Sequence, residues 1–504
     1  MPSRRPAPLP QLKKAAPGWP GLWFREKPLK HVVFKMPLDP ILRSPKHRDV
    51  AAAAAGGLAP GHLHGHGRLL AADGPDLTAP LSDELLLRIL SQLPSPLQAS
   101  AGLVCRRWLR LVGRLRRSLT LLDWSFLDGP SNRLVARFPE LDEVDIVPAS
   151  ITPPVCPSGV LLTRGGVSVQ LESEFEAFDP PPSPGLIPEC RFLTPDAVDR
   201  GLEILAEGCP SLRKLSLVAV ASEFGLMKVA DECLTLLELE LHRCTDQSLR
   251  PISAFSNLQV LKLVGAVEGL YSGPGVTDIG LTILAHGCKR LVKLELSGCE
   301  GSYDGISAIG RCCLMLEELT ICDHRMDEGW MAGLSYCGNL KTLSLVGCRR
   351  IDTDPGPTAY LGTCPAIEEL HLQRCQLRDK RSLNALFLVC EAVRDIVIQD
   401  CWGLDNDMFG TASICRRVKF FSLEGCSLLT TEGLESVISS WQDLQSLRVV
   451  SCNRMKDNEV TPALSYLFSL LKELQWRPDS RSVLLTSLSG TGMGKKGGRF
   501  FKRS

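Results

Sequence analysis

Hydrophobic and polar positions recur along most of this chain in one pattern. A cysteine or a bulky residue is followed at fixed spacing by aliphatic residues, in the order (Cys or bulky)-x-x-Leu-x-x-Leu-x-Leu. Copies begin at Cys209, Cys233, Phe255, Cys288, Cys313, Cys337, Cys364, Cys390, Cys415, Trp441 and Phe468. A period of about 26 residues indicates a stack of small repeated units rather than one closed domain.

Each copy predicts one strand and one helix. Leu294, Glu295 and Leu296 alternate as in a strand with one buried face. The preceding segment VTDIGLTILAHGC predicts a helix that Thr277 caps, and TPDAVDRGLEILAEGC and TTEGLESVISSW predict similar helices. ELDEVDI contains an earlier copy of the repeat. Because no single unit buries both of its faces alone, we expect neighbouring units to stack.

Cysteines recur in pairs eleven residues apart, at 233/244, 288/299, 337/348, 364/375, 390/401 and 415/426. Each pair brackets a predicted strand, so its two sulfur atoms lie too far apart for a disulfide bond. Zinc ligands would need local C-x-x-C spacing, which the pairs lack. We therefore predict that these cysteines are small buried hydrophobic residues at the two turns of each coil.

These residues resemble the cysteine-containing class of leucine-rich repeats. The resemblance implies a right-handed α/β solenoid, or horseshoe, over residues 194–478.

A helical segment precedes the repeats and reads PLSDELLLRILSQLPSPLQASAGLVCRRWLRLV at residues 80–112. Ser82 can cap a first helix, and Asp83 and Glu84 suit its first turn. An apolar stripe follows on this helix, made of Leu85, Leu86, Ile89, Leu90 and Leu93. A second apolar side is predicted at Leu103, Val104, Trp108, Leu111 and Val112. About 45 residues cannot bury this much apolar surface alone, so we expect a partner to cover it.

This segment resembles an F-box, whose pattern is roughly Leu-Pro-x-Glu-Leu-Leu-x-x-Ile-Leu, a loop, and Leu-x-x-Val-Cys-+-x-Trp. The matching residues are Leu81, Glu84, Leu85, Ile89, Leu90, Leu103, Val104, Cys105, Arg106 and Trp108. Ser82 replaces the usual proline, and Gln98 stands where an acid is common. The resemblance implies docking on the Skp-type adaptor of a cullin–RING ubiquitin ligase through Leu81, Leu85, Ile89, Leu90, Leu93, Leu103, Val104 and Trp108. The alternative is an ordinary helical cap on the solenoid.

An F-box followed by leucine-rich repeats is similar to the plant F-box/LRR proteins. On this basis we predict an α/β chain with a helical F-box before the solenoid. The predicted organisation is a disordered basic region at 1–75, an F-box at 76–127, a first repeat or cap with a Pro-rich insertion at 128–193, the repeats at 194–478 and a flexible basic tail at 479–504.

Composition narrows the function classes. The 504 residues carry a net charge of +1 and a pI near 7.4, so no overall field recruits nucleic acid. No run of eighteen apolar residues predicts a membrane span, and prolines interrupt the N-terminus where a secretory signal would lie. We expect a reducing compartment, nucleus and/or cytoplasm, with the cysteines as thiols.

Both ends of the chain are low in sequence complexity. The acid-poor N-terminal segment predicts a solvated basic tail, with an organelle transit peptide as the alternative. The histidines of GHLHGHG, at 62, 64 and 66, are read as low-complexity sequence rather than a metal site. The closing GKKGGRFFKRS predicts a solvated tail or a weak nuclear-import signal.

A substrate surface is predicted on the exposed face of the repeat strands. Its acidic positions are Glu238, Glu240, Glu295, Glu318, Glu369, Asp395 and Glu424, against the basic Lys214, Lys262, Lys293 and Arg448. Phosphorylated ligands need clustered Arg or Lys, which this face lacks. We therefore expect a neutral to basic, unphosphorylated protein ligand, with a merely solvated sheet as the alternative. The predicted ligand-binding residues are Glu238, Glu240, His242, Glu295, Glu318, Glu369, His371 and Tyr271.

Two irregular segments add binding candidates. GAVEGLYSGPGV, at 265–276, lengthens one repeat and carries Tyr271 in a Gly/Pro loop. Residues 148–190 form a proline-rich insertion that predicts either a binding rim or an unstructured excursion.

Three functions remain open. The leading prediction is the substrate-recognition subunit of an SCF (Skp–cullin–F-box) ubiquitin ligase, without catalytic residues, metal or cofactor, whose adaptor connects it to cullin and RING subunits. A small-molecule-sensing F-box receptor is the second, although such pockets in the family are strongly basic. The third is a scaffold that binds proteins without any ligase.

Overall fold

A computed structural model describes residues 78–127, 133–151, 160–164, 167–170, 192–219, 223–267, 271, 273, 275–326, 329–352, 354–357, 360–480 and 482. Both chain ends, the histidine tract and most of the proline-rich insertion lie outside the described residues. The chain divides into two compact units, one comprising Met1–Val112 with Pro154–Ser173 and the other Gly113–Pro153 with Glu174–Ser504.

The helices are α1 Asp83–Ser91, α2 Ser95–Ala101, α3 Arg106–Leu115, α4 Arg133–Arg137, α5 Pro195–Gly208, α6 Phe224–Glu232, α7 Asp278–Gly287, α8 Tyr303–Cys312, α9 Trp330–Gly333, α10 Lys380–Val389, α11 Asn406–Gly410, α12 Thr431–Ile438 and α13 Pro462–Leu470. Short 3₁₀ helices lie at Trp124–Phe126, Pro148–Ser150, Gln247–Ala254, Leu334–Tyr336, Thr411–Ile414 and Asp457–Glu459.

The strands are β1 Ser118–Thr120, β2 Glu143–Asp145, β3 Val160–Arg164, β4 Val167–Gln170, β5 Lys214–Val218, β6 Glu238–His242, β7 Val260–Val264, β8 Lys293–Ser297, β9 Glu300–Gly301, β10 Glu318–Cys322, β11 Arg325–Met326, β12 Thr342–Val346, β13 Glu369–Gln373, β14 Asp395–Gln399, β15 Phe420–Glu424, β16 Ser446–Val450 and β17 Glu473–Arg477. Thirteen of them form one sheet in the order β1-β2-β5-β6-β7-β8-β10-β12-β13-β14-β15-β16-β17.

The large sheet confirms the predicted α/β solenoid. Every neighbouring pair within it is parallel, and equivalent repeat positions are in register, as in Leu294 opposite Leu319. Parallel strands need a crossover connection, which the helices between the strands supply. From β5 to β16 the second and fourth residues of each five-residue strand are buried apolar side chains, Leu294 and Leu296 among them.

Local sequence signals explain where the helices begin. The predicted cap Thr277 accepts a hydrogen bond at Oγ1 from the backbone N–H of Ile279, and Thr430 accepts one from Gly433 at the start of α12. These bonds satisfy donors that have no partner inside the helix. The predicted helices before these repeats are thereby confirmed.

The repeat cysteines line the interior as predicted. Those that begin a repeat are buried, and each of Cys233, Cys313 and Cys364 donates its Sγ–H to the carbonyl of the equivalent cysteine one repeat earlier, at 3.4, 3.4 and 3.2 Å. Burial raises the pKa of the Cys288 and Cys337 thiols to about 12. The thiol therefore acts as an apolar filler that also satisfies a buried carbonyl group.

The start of the sheet differs from the prediction. Ser118–Thr120, which we assigned to the F-box region, forms β1 and pairs with β2. Leu121, Trp124 and Leu127 belong to the same buried core as the repeats. This coil carries no initial cysteine and its strand has only three residues, so the repeat pattern is too faint there for sequence reasoning. Within the insertion, β3 and β4 form an antiparallel hairpin.

Candidate functional site

The first candidate surface lies on α1, and the residue at which this helix begins determines which side chains it exposes. Ser82 accepts the Leu85 N–H at Oγ (3.3 Å), which fixes the start of the helix. The apolar stripe then divides into two pairs, each one turn apart. Leu86 and Leu90 are buried, whereas Leu85 and Ile89 are 52% and 50% exposed. Residues four apart lie on the same side of a helix, so Leu85 and Ile89 together form a small apolar surface that α1 exposes to solvent.

The turn between α2 and α3 continues the exposed apolar character. Leu103 and Val104 are 87% and 63% exposed there, and Leu97 on α2 is 54% exposed. Leu81, Leu93 and Trp108, which were also predicted to bind the adaptor, are half-buried. Clustering of exposed apolar residues within a stretch this short is typical of a protein-binding surface.

Leu90 requires a correction, because the structure places it in the interior with no exposed surface. Leu90 was predicted to bind the adaptor as part of the α1 stripe. The stripe is wide enough that one half packs into the interior while the other half is exposed, and Leu90 lies on the interior half. Leu97 was missed as a surface residue. Its only sequence signal is an apolar residue in an otherwise polar short helix.

The second candidate surface is the open face of the large sheet. We use this name for the first, third and fifth residues of the repeat strands, on the opposite side from the buried aliphatic residues. Six of the predicted ligand-binding residues lie there with some exposure: Glu238, Glu240, Glu295, Glu318, Glu369 and His371. The prediction that they lie on one face is confirmed by the strand register.

Charges on the open face between β5 and β10 are largely paired. Lys262 on β7 lies between Glu240 and Glu295, with its Nζ 3.6 and 3.0 Å from their carboxylate oxygens. Burial lowers the pKa of Lys262, but the two carboxylates outweigh burial and the net shift is upward. The first residues of these strands also form lysine–glutamate pairs. Lys214 contacts Glu238 at 2.9 Å, and Lys293 contacts Glu318 at 2.7 Å.

The pattern changes at β13 and β14. Glu369 and Asp395 are direct register partners, and their neighbours in the row are Thr342 and Phe420. Desolvation by burial raises the pKa of the Asp395 carboxyl, and the charge of Glu369 raises it further. His371 Nε2 lies 3.5 Å from Glu369. The negative balance predicted for the whole face is therefore concentrated at these two strands.

Burial of the fifth strand position changes at the same place. In β5 to β12 these residues are buried, as for Val218, His242 and Val346. From β13 to β16 they are half-buried, beginning with Gln373 and Gln399, whose side-chain amides are 3.4 Å apart. The more open part of the face therefore coincides with the adjacent carboxylates of Glu369 and Asp395.

Two predicted ligand-binding residues require correction. Tyr271 is 3% exposed, and His242 is completely buried. The ring centroids of these two residues are 5.9 Å apart, and Phe192 packs against Tyr271 at 6.1 Å. The Gly/Pro loop folds its aromatic side chain inward because a buried histidine provides a hydrogen-bond partner for the hydroxyl group.

The described part of the chain contains no group of three or more His, Cys, Asp or Glu side chains arranged to hold a metal ion. Within that part, no helix has both the length and the apolar character needed to cross a membrane.

Comparison with known proteins gives one family match and several curated relatives. Residues 80–119 match the F-box domain family. The chain is 27% identical over 298 residues to the F-box/LRR-repeat MAX2 homolog of Oryza sativa subsp. japonica, which covers 56% of this chain and 39% of that protein. F-box protein SKIP1 of Arabidopsis thaliana is 26% identical over 215 residues, 42% of this chain and 58% of that protein. F-box protein SKIP19 of the same plant is 32% identical over 123 residues, 24% of this chain and 37% of that protein. The chain thus spans less than two thirds of the length of each of these relatives.

Proposed function

We propose that this F-box/leucine-rich-repeat protein is the substrate-recognition subunit of an SCF ubiquitin ligase, joined through a Skp-type adaptor to cullin and RING subunits. The observation that carries the proposal is the exposed apolar set on α1 and the α2–α3 turn: Leu85, Ile89, Leu103 and Val104. Removing such side chains from water on docking provides about 1.5–3 kcal/mol for each one that becomes fully buried. Ubiquitin transfer would belong to the RING partner and its E2, so the chain itself needs no catalytic residue.

The test is adaptor capture by the full-length chain. Leu85→Asp and Leu103→Asp place a charge in the proposed contact and should weaken binding to a purified Skp-type adaptor at least about tenfold. Leu314→Asp is the matched control, because Leu314 is 65% exposed and lies in a turn of the solenoid. Equal binding by all three variants would remove the proposal.

We further propose that the substrate contacts the open face at β13 to β15. Support comes from the adjacent carboxylates of Glu369 and Asp395, the half-exposed His371 and the neighbouring aromatic Phe420. These groups suit an unphosphorylated segment that offers a Lys or Arg side chain together with an apolar one. Glu240 and Glu295, at the third positions of β6 and β8, are less suitable, because Lys262 lies between them and contacts both carboxylates.

The substrate surface is tested with the Leu85→Asp variant, which should not bind the adaptor. Proteins bound to this variant are then retained instead of being ubiquitinated and degraded. Adding Glu369→Lys and Asp395→Lys should remove a defined set of captured proteins, whereas Glu391→Lys, at an exposed turn position, should keep it. Capture that is identical in both variants would contradict this assignment. We place the protein's action in the nucleus or cytoplasm, where its buried thiols would stay reduced.

A further inference from the structure

One arginine of α3 holds the segment that leads into α1. All three nitrogen atoms of the Arg107 guanidinium donate hydrogen bonds to this segment. Nη2 donates to the carbonyl of Leu81 at 2.5 Å, Nη1 to the carbonyl of Thr78 at 3.0 Å, and Nε to Oδ1 of Asp83 at 2.7 Å. The planar guanidinium suits this role, because its donors are fixed relative to one another.

The next residue of α3 strengthens the same connection. Trp108 donates its indole N–H to Oγ1 of Thr78 at 3.3 Å, and Leu81 closes a turn by donating its N–H to the Thr78 carbonyl at 3.0 Å. Ser82, the cap of α1, follows immediately. Two consecutive residues of α3 thus determine the path of the chain from Thr78 to Asp83, where no regular secondary structure does so.

This arrangement fixes backbone atoms rather than a ligand-binding side chain. Leu81 is held through its carbonyl group, so its side chain stays free to contact a partner. Asp83 lies in the first turn of α1, and its ion pair with Arg107 also fixes the start of the helix that carries Leu85 and Ile89. Hydrogen bonds to charged groups are stronger when they are shielded from water, and the Arg107 side chain is only 24% exposed.

We propose that Arg107 is a positioning residue for adaptor docking, which acts by holding Leu81 and the N-terminus of α1 in the binding conformation. This inference rests on the proposed ligase function. Binding energy is lost when a contact residue must be ordered on association, so a preorganised Leu81 raises the affinity without Arg107 touching the adaptor.

The test measures the affinity of the full-length chain for a purified Skp-type adaptor by calorimetry. Arg107→Met keeps the length of the side chain and removes every donor, and it should weaken binding about tenfold. Arg107→Lys keeps one charged donor and should recover part of the loss. Arg110→Met is the matched control, since Arg110 is an exposed arginine of the same helix, and its affinity should equal that of wild type.

A double-mutant cycle separates positioning from a general effect on folding. In a Leu81→Ala background, Arg107→Met should weaken binding less than it does in the wild-type chain, because one of the two elements that it positions has lost its contact side chain. A purely structural role would weaken binding equally in both backgrounds. If Arg107→Met lowers the unfolding midpoint, Asp83→Asn replaces it in the cycle, because it removes only the charge that pairs with Nε and leaves the hydrogen bonds to Leu81 and Thr78 in place.

The outcomes distinguish the two proposals. If the wild-type chain binds the adaptor and neither Arg107→Met nor Asp83→Asn changes the affinity, the positioning role alone is overturned. The positioning role is also overturned if Arg107→Met causes the same loss of affinity in the Leu81→Ala background as in the wild-type chain. A wild-type chain that does not bind the adaptor overturns the ligase function, and the positioning role with it.

Discussion

Nδ1 of His242 lies 3.1 Å from the hydroxyl oxygen of Tyr271, and this hydrogen bond connects strand β6 to the Gly/Pro loop of residues 265–276. The other ring nitrogen, Nε2, lies 2.9 Å from Oε1 of Glu240. A carboxylate only accepts, so in the neutral imidazole Nε2 carries the hydrogen and Nδ1 accepts from the tyrosine. Tyr271 is therefore packed against β6 rather than exposed at the rim of the sheet.

Tyr271→Phe tests this connection. The substitution keeps the ring and removes the hydroxyl group, so we expect the free energy of unfolding to fall by about 0.5–1.5 kcal/mol, as for loss of a buried hydrogen bond. Urea unfolding measures the change. Tyr360→Phe is the control, because Tyr360 is 81% exposed and should leave the midpoint unchanged. Equal midpoints for both variants would contradict the role of the hydrogen bond.

The fold could be predicted from the repeat, whereas the exact limits of the sheet could not. Leucine spacing encodes both the strand period and the coil length, so Leu294 and Leu296 could be assigned to a buried face without coordinates. The short strand Ser118–Thr120 could not, because three residues carry too little periodicity to be distinguished from the preceding helices.

The two surfaces were predictable only to the level of the element. Helical periodicity places Leu85 and Leu90 in one stripe, but the packing of α2 and α3 decides which half of the stripe is covered. The buried pair of His242 and Tyr271 depends on a contact between residues 29 positions apart, which local patterns do not encode. The pairing of Lys262 with two carboxylates depends likewise on the strand register.

The carboxylates at β13 and β14 predict a pH-dependent effect. The pKa of Asp395 in the folded state is raised above its ordinary value of 3.8, by burial and by the charges of Glu369 and Glu368. An acid with a raised pKa destabilises the folded state above that pKa, and the effect disappears as the pH falls through the raised value to below 3.8. Asp395→Asn should therefore stabilise the chain at pH 7 by about 0.2–1 kcal/mol, the range for like charges on adjacent strands.

Thermal unfolding of Asp395→Asn at pH 7 and at pH 3.5 measures the effect. The gain should be present at the higher pH and absent at the lower one. Glu391→Gln, at an exposed turn, supplies the control for removal of one negative charge. A gain that persists at pH 3.5 would show that repulsion is not its cause.

The turns after the strands predict a sensitive glycine. Gly425 follows β15 with a φ of 68°, and a Cβ atom there would meet the side chain of Asp400. Gly425→Ala should cost about 1–2 kcal/mol for the left-handed backbone, with the steric conflict in addition. Gly338→Ala is the control, since a Cβ atom at Gly338 meets nothing within 4 Å. A similar urea midpoint for both variants would contradict this assignment.

Burial of the repeat thiols predicts selective alkylation. Burial raises the pKa of Cys288 and Cys337 to about 12, so neither forms much thiolate near neutral pH, whereas Cys105 is exposed. Maleimide labelling of the folded chain at pH 7.5, followed by peptide mass mapping, should modify Cys105 well before either repeat cysteine. The order should vanish in denaturant. Early labelling of Cys288 in the folded chain would contradict the burial of this thiol in a tightly packed interior.

The division of the α1 stripe predicts opposite consequences for two leucines five residues apart. Leu90 has no exposed surface, so Leu90→Ala should leave a cavity and lower the stability of the box by about 2–5 kcal/mol. Leu85 is half exposed, and Leu85→Ala should change stability by less than about 0.5 kcal/mol while weakening adaptor binding. Urea unfolding followed by hydrogen exchange of the α1 amides measures the first effect, and calorimetric titration with the adaptor measures the second. If Leu85→Ala proved the more destabilising of the two, the exposed half of α1 would be part of the core and could not serve as the docking surface.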